Sequence, residues 1–245
     1  MTTLWPLVFP ALAAGAINSI AGGGTLLTFP ALLAAGLPPV TANATSSVSL
    51  VPGSLAAWWG YRGVESSART LWALGIPSVV GGGAGAWLLL WTGDTLFGKL
   101  VPWLVLGATV LFIAQERLSR RTPHTAPLWA VIGFQFFVAV YGGFFGAGMG
   151  ILMLAAHGYL GVRDIHQLNS IKNFCAVCIN GVATATFVVM HRVQWIPALV
   201  MSIAAIIGGY LGAKAARRVP ASVVRKIVAG IGLGIAALLF WRQFG

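Results

Sequence analysis

Asn18-Ser19-Ile20-Ala21-Gly22-Gly23-Gly24-Thr25-Leu26-Leu27-Thr28-Phe29-Pro30 lies inside a segment with no charged residue from Thr2 to Tyr61. A stretch so free of charge belongs at membrane depth. Three successive glycines, with a proline six residues after the last, nevertheless make a poor continuous helix. Each Gly costs about 1 kcal/mol relative to Ala, and Pro about 3 kcal/mol. Broken backbone at that depth survives only where protein or a wet cavity covers it. A helix that stops and restarts also aims bare N–H groups and a positive dipole end into the gap. Two readings follow: the substrate site of a secondary transporter, or a glycine surface for close helix packing.

Composition sets the class. Of 245 residues, 58% are hydrophobic and only 8% charged. No soluble domain of this length buries so large an apolar share, so the chain reads as a polytopic membrane protein. The net charge of +11 does not indicate a nucleic-acid surface, because the basic residues fall in short gaps between apolar spans. They read as topology signals and membrane-surface contacts. Cys175 and Cys178 share a helix face inside an apolar span and read as small apolar residues rather than a metal or redox pair. The N-terminus lacks the positive region of a signal peptide and is expected to belong to the mature structure.

Apolar segments of spanning length cover about 4–35, 43–61, 71–91, 96–115, 128–160, 165–189, 194–213 and 223–241. As straight helices, 4–35 and 128–160 would reach nearly 50 Å at about 1.5 Å per residue, against a hydrocarbon core of roughly 30 Å. Both are also interrupted by glycines. A shift of 126 residues lays Gly22 and Gly24 on Gly148 and Gly150, and Asn43 on Asn169. A shift of 127 lays Gly82 and Gly85 on Gly209 and Gly212, Lys99 on Lys226, and Gly107 on Gly234. The chain is therefore expected to contain two repeats, 1–120 and 127–245, joined by a polar connector at 121–126.

Charge decides how the repeats are related. If 4–35 and 128–160 enter and leave on one side, one face collects Arg62, Arg69, Arg117, Arg120, Arg121, Arg163, Lys172, Lys214, Arg217, Arg218, Arg225 and Lys226. Lys99, Arg192 and Arg242 remain on the other. If every segment crosses once, the cations divide almost evenly, against the positive-inside rule. The expected fold is thus an all-α polytopic membrane protein of two inverted repeats. Each is a re-entrant, broken-helix hairpin followed by three transmembrane helices, about eight helical segments in all, with both termini periplasmic.

The same residues carry a family resemblance. Ala14 to Thr25, Phe29-Pro30-Ala31-Leu32-Leu33, Gly36-Leu37-Pro38-Pro39 and Asn43-Ala44-Thr45-Ser46-Ser47 are matched in the second half by Gly142-Gly143-Phe144-Phe145-Gly146-Ala147-Gly148-Met149-Gly150 and Asn169-Ser170-Ile171-Lys172-Asn173, with Asn180 further along. Over essentially its whole length the chain resembles the sulfite exporter TauE/SafE family of membrane permeases. The resemblance implies export of a small sulfur-containing anion, sulfite or an organosulfonate such as sulfoacetate, across the bacterial inner membrane. It does not choose between them.

A compact oxyanion at the bilayer midplane needs donors to replace its water. Gly22, Gly23, Gly24 and Thr25 offer backbone N–H groups in the first half, and Gly146, Gly148 and Gly150 in the second, where a missing Cβ permits close approach. Side chains of Asn18, Asn43, Ser46, Asn169 and Asn173 converge on the same places. They read as substrate ligands or as interhelical glue. Lys172 either neutralises the anion or snorkels from a helix end. His157 is a candidate proton-linked coupling group, the alternative being a hydrogen-bonded interior histidine, and Gln135 is a weaker candidate of the same kind. Glu65, Asp94, Glu116 and Asp164 all map to span ends, leaving no carboxylate for an intramembrane relay or for paired acid–base catalysis. No P-loop is present. The reading is a non-enzymatic transporter working by alternating access, or else a channel with a fixed hairpin filter, needing no metal or cofactor. Its partners are the anion and lipid, and its apolar outer faces permit a homodimer.

Overall fold

In the computed structural model, residues 5–20, 23–60, 67–119, 126–160, 164–215 and 221–244 are described. Among them every regular element is helical. The elements are α1 (Trp5–Ile20), α2 (Thr25–Ala34), α3 (Pro39–Gly60), α4 (Ala68–Ser119), α5 (Leu128–Phe144), α6 (Met149–His157) with a 3₁₀ turn at Gly158–Leu160, α7 (Ile165–Val189), α8 (Trp195–Ala215) and α9 (Ala221–Phe244). Gly22, Arg62, Glu65, Arg120, Arg121, Arg163, Arg217, Arg218 and connector residues 121–125 lie outside the described residues.

Both over-long apolar segments are broken where glycine accumulates. α1 ends before the glycine triplet, and α2 starts beside it. Gly24 rests against the Ala14 carbonyl and Asn18, so a methyl group there would sit 2.9 Å from that oxygen. The second hairpin breaks at 145–148, and Ala126 N–H donates to the Tyr159 carbonyl at 3.0 Å. Its entrance and exit therefore lie side by side. The expected pair of spans at 71–91 and 96–115 is one element divided by a single residue, Gly93, at φ 70° and ψ 172°. Only glycine adopts that backbone without a steric penalty, which lets helix resume at once with no loop.

The halves interlock. α1 packs along α8, while α5 packs along the first arm of α4, so each first hairpin arm lies against the other half. α3 packs on α7, and the second arm of α4 on α9. Both long contacts rest on glycines. A methyl at Gly85 would overlap the Val140 carbonyl, and one at Gly143 the Gly82 carbonyl. A methyl at Gly15 would overlap the Ala205 carbonyl, and one at Gly208 the Leu12 carbonyl. Small residues that let backbones touch are the way apolar helices associate without help from the hydrophobic effect.

The outer surface is apolar: Trp5, Phe9, Trp91, Phe137, Tyr210 and Trp241 are each between 71% and 81% exposed. The buried polar residues are gathered inside, among them Thr28, Asn43, Thr45, Ser46, Ser78, Gln135, His157 and Asn173. α4 and α7 contain stretches long and apolar enough to cross a bilayer, whereas each hairpin arm is shorter. An apolar exterior around a polar interior is the inverse of a soluble fold.

Candidate functional site at the two helix breaks

The first break is closed by its own side chain. Asn18 Oδ1, near the end of α1, accepts from Gly23 N–H at 3.1 Å and Gly24 N–H at 2.9 Å. Those donors, expected from sequence to face an anion, are held instead by a side-chain amide oxygen from the end of α1, just ahead of α2. The N–H groups of Leu26, Leu27 and Thr28 bond back to Gly23 and Gly24 carbonyls. Only Thr25 N–H makes no hydrogen bond among the described residues of this turn. Thr28 Oγ1 meets Ser46 Oγ of α3 at 2.6 Å and also reaches the Gly24 carbonyl. Ser46 thus braces α2 from the side.

The second break is built differently. Gly148 holds the N-cap position of α6 in the left-handed region (φ 77°, ψ 2°), with no side-chain cap. Gly146 and Gly148 carbonyls accept from Met149 and Ile151. The N–H groups of Ala147, Gly148 and Gly150 make no hydrogen bond among the described residues. Tyr141 OH donates to the Ala147 carbonyl at 2.6 Å and fixes the turn. Lys172 runs along it: a methyl at Gly150 would sit 3.7 Å from Lys172 Cδ. Asn169 and Asn173 flank Lys172 on α7, half-buried and buried respectively. N–H groups without a hydrogen bond among the described residues, a helix N-terminus and the Lys172 side chain therefore lie together.

Asn43 links the two halves. It is fully buried, and its Nδ2 donates to the Phe144 carbonyl, the last of α5, at 3.1 Å. A carbonyl only accepts, so this bond fixes the amide orientation. Its Oδ1 is then left buried without a partner among the described residues. Around it Phe29, Phe97, Phe144 and Phe145 form an edge-to-face cluster, Phe29 and Phe145 lying 5.4 Å apart between ring centres. The cluster joins α2 to the tip of the second hairpin.

The two coupling candidates are brought together. His157 Nε2 meets Gln135 Oε1 at 3.0 Å, and Gln135 Nε2 donates to Ser78 Oγ at 2.8 Å. Ser78 passes its own hydrogen to the Leu74 carbonyl at 2.6 Å, so it accepts from Gln135 and fixes that amide too. The network then assigns the hydrogen of a neutral His157 to Nε2. Nδ1 is a buried acceptor without a partner. Lys172 is within electrostatic reach of the ring. Ser78 was not singled out in the sequence; a hydroxyl in an apolar span was the only signal for it. Asp94 follows the Gly93 break in α4, and Asp164 stands at the N-cap of α7. Asp94 Oδ1 accepts from Val40 N–H at the start of α3, and Asp164 caps α7 through His166 N–H. Among the described residues, no group of His, Cys, Asp and Glu could hold a metal ion.

An all-helical bundle with an apolar exterior and polar groups collected at two helix breaks is the construction of a polytopic membrane protein. The family described as Sulfite exporter TauE/SafE matches residues 7–239, and the chain belongs to that family. It is similar to a probable membrane transporter protein of Haemophilus influenzae, at 28% identity over 93% of this chain and 90% of the relative. It is also similar to the probable membrane transporter protein YfcA of Escherichia coli K12, at 26% over 98% and 90%. A third relative is the probable membrane transporter protein ORF9 of a Sinorhizobium species, at 27% over 95% and 90%.

Proposed function

We propose that this protein is a secondary transporter that exports a small sulfur oxyanion, sulfite or an organosulfonate, by alternating access. The anion sits at the N-terminus of α6, on the N–H groups of Ala147, Gly148 and Gly150, with Lys172 as its counter-charge. One observation carries the reading: among the described residues this helix start has N–H groups without a hydrogen bond and the Lys172 side chain beside Gly150, whereas next to α2 Asn18 takes the Gly23 and Gly24 N–H groups. Backbone donors with no Cβ in the way suit a compact oxyanion, which can exchange water for fixed dipoles. Asn169 and Asn173 supply further donors from α7. The broken segments act as two re-entrant hairpins in inverted repeats, an arrangement supported by the reciprocal packing of first arms and by the Ala126–Tyr159 bond. The chain lies in the bacterial inner membrane with both termini periplasmic, following the distribution of Lys and Arg.

Counterflow in proteoliposomes tests this, with labelled sulfite and unlabelled sulfite, sulfoacetate, sulfate or acetate on the other side. Trans-acceleration by sulfur oxyanions and saturable uptake are expected. Flux that rises linearly with concentration would instead mark a fixed pore. Lys172→Met is expected to weaken anion affinity by about 10- to 100-fold, the scale of one lost charge-assisted hydrogen bond, with little change in Tm. An unchanged affinity would return Lys172 to a snorkelling role.

A further inference from the structure

Near the proposed anion site, a buried polar atom of α3 stands unexplained. Asn43 Oδ1 is buried and without a partner, its orientation fixed by the bond from Nδ2 to the Phe144 carbonyl. Phe144 is three residues before Ala147, so Asn43 is bonded to the last turn of α5, at the break that leads into α6. A bare oxyanion offers only acceptors and would leave Asn43 Oδ1 as it is. Buried acceptors are seldom left unmatched, because an unpaired one forfeits its hydration with nothing in return. The surrounding groups do not fill the need. Ser46 and Thr28 are engaged with each other, Ser47 donates to the Asn43 backbone carbonyl, and Ser49 donates to the Ser46 carbonyl.

We infer that the substrate is an oxyanion that also carries a hydrogen-bond donor, which Asn43 Oδ1 accepts while the oxyanion rests at the α6 N-terminus. A monoprotonated oxyanion or a hydroxyalkylsulfonate has this chemistry; a simple alkylsulfonate does not. The inference rests on the proposed anion site and adds selectivity to it. It makes Asn43 a discriminating residue, since a site built to satisfy a polar group rejects the analogue that lacks it.

The test is direct binding to the full chain purified in detergent, by calorimetry, with two probes of equal charge and nearly equal shape. 2-Hydroxyethanesulfonate carries the donor, and 1-propanesulfonate replaces the hydroxyl with a methyl group. The wild-type protein is expected to bind the hydroxylated probe about 5- to 50-fold more tightly. Asn43→Leu is expected to bring that ratio close to one while retaining affinity for 1-propanesulfonate. Equal binding of the two probes by the wild type overturns the inference and leaves the anion site standing. So does a preference that persists in Asn43→Leu. If neither probe nor sulfite binds the wild type, the anion site itself falls, and the inference with it. Should Asn43→Leu fail to fold for want of the Phe144 contact, the wild-type ratio alone decides.

Discussion

Asn18 shows how one side chain changes the meaning of a motif. In the sequence it stands beside a glycine triplet and reads as a ligand. In the fold its amide oxygen takes two N–H groups at the start of α2 and stands where an anion would. Losing these two hydrogen bonds costs about 1–2 kcal/mol, and each kcal/mol moves Tm by about 2–4 °C in a chain of this length. Asn18→Ala should therefore lower the unfolding midpoint in detergent by about 2–8 °C, while Asn18→Asp, which keeps the acceptor, should retain most of it. An unaltered midpoint in Asn18→Ala would mean that the two bonds add nothing. Asn43 makes the opposite case. Its donor is used and its acceptor is not, and only the partner on α5 reveals which is which.

At the scale of elements, the helix pairs are set by where backbones touch. α4 meets α5 through Gly81, Gly85 and Gly143, where added methyl groups collide with carbonyl groups. Gly83, on the same helix, offers ordinary contact: a methyl there would lie 3.5 Å from Val182 Cγ2. Gly85→Ala is thus expected to destabilise by 2 kcal/mol or more, about the cost of overpacking. Gly83→Ala should be neutral or slightly stabilising, by roughly 0.5 kcal/mol, through helix propensity. Thermal unfolding of the two variants side by side checks the packing, and equal midpoints would contradict it. The sequence repeat pointed to Gly82 and Gly85 without saying what they faced. Their nearest partners, Ile179 and Val140, lie far along the chain.

Across the whole molecule, the two halves hold each other's moving parts. The His157–Gln135–Ser78 chain runs from α6 through α5 to α4, from the second hairpin into the first half. Asn43 and the phenylalanine cluster make a second link, from α3, α2 and α4 to the other side of the same hairpin. A shift of the second hairpin is therefore felt by both halves at once, which alternating access requires. If His157 couples ion movement to this shift, His157→Gln should keep sulfite counterflow, which needs no net driving force, and lose stimulation by an imposed pH gradient. Loss of both, or of neither, would remove His157 from coupling.

The sequence by itself determined the class, the broken segments and the residues available to a site. Charge depletion over Thr2–Tyr61, glycines at the breaks and the repeat of Gly22 and Gly24 at Gly148 and Gly150 are local or periodic signals, and solvation physics reads them directly. His157 and Gln135 were also legible, since a polar side chain in an apolar span must find a partner. What the sequence could not assign was the use of each donor. Glycine repeats give both breaks the same appearance, yet one is capped by Asn18 and the other is open beside Lys172. Hydrogen bonds depend on a few ångströms and on angle, and those are fixed only when helices distant in the chain pack together.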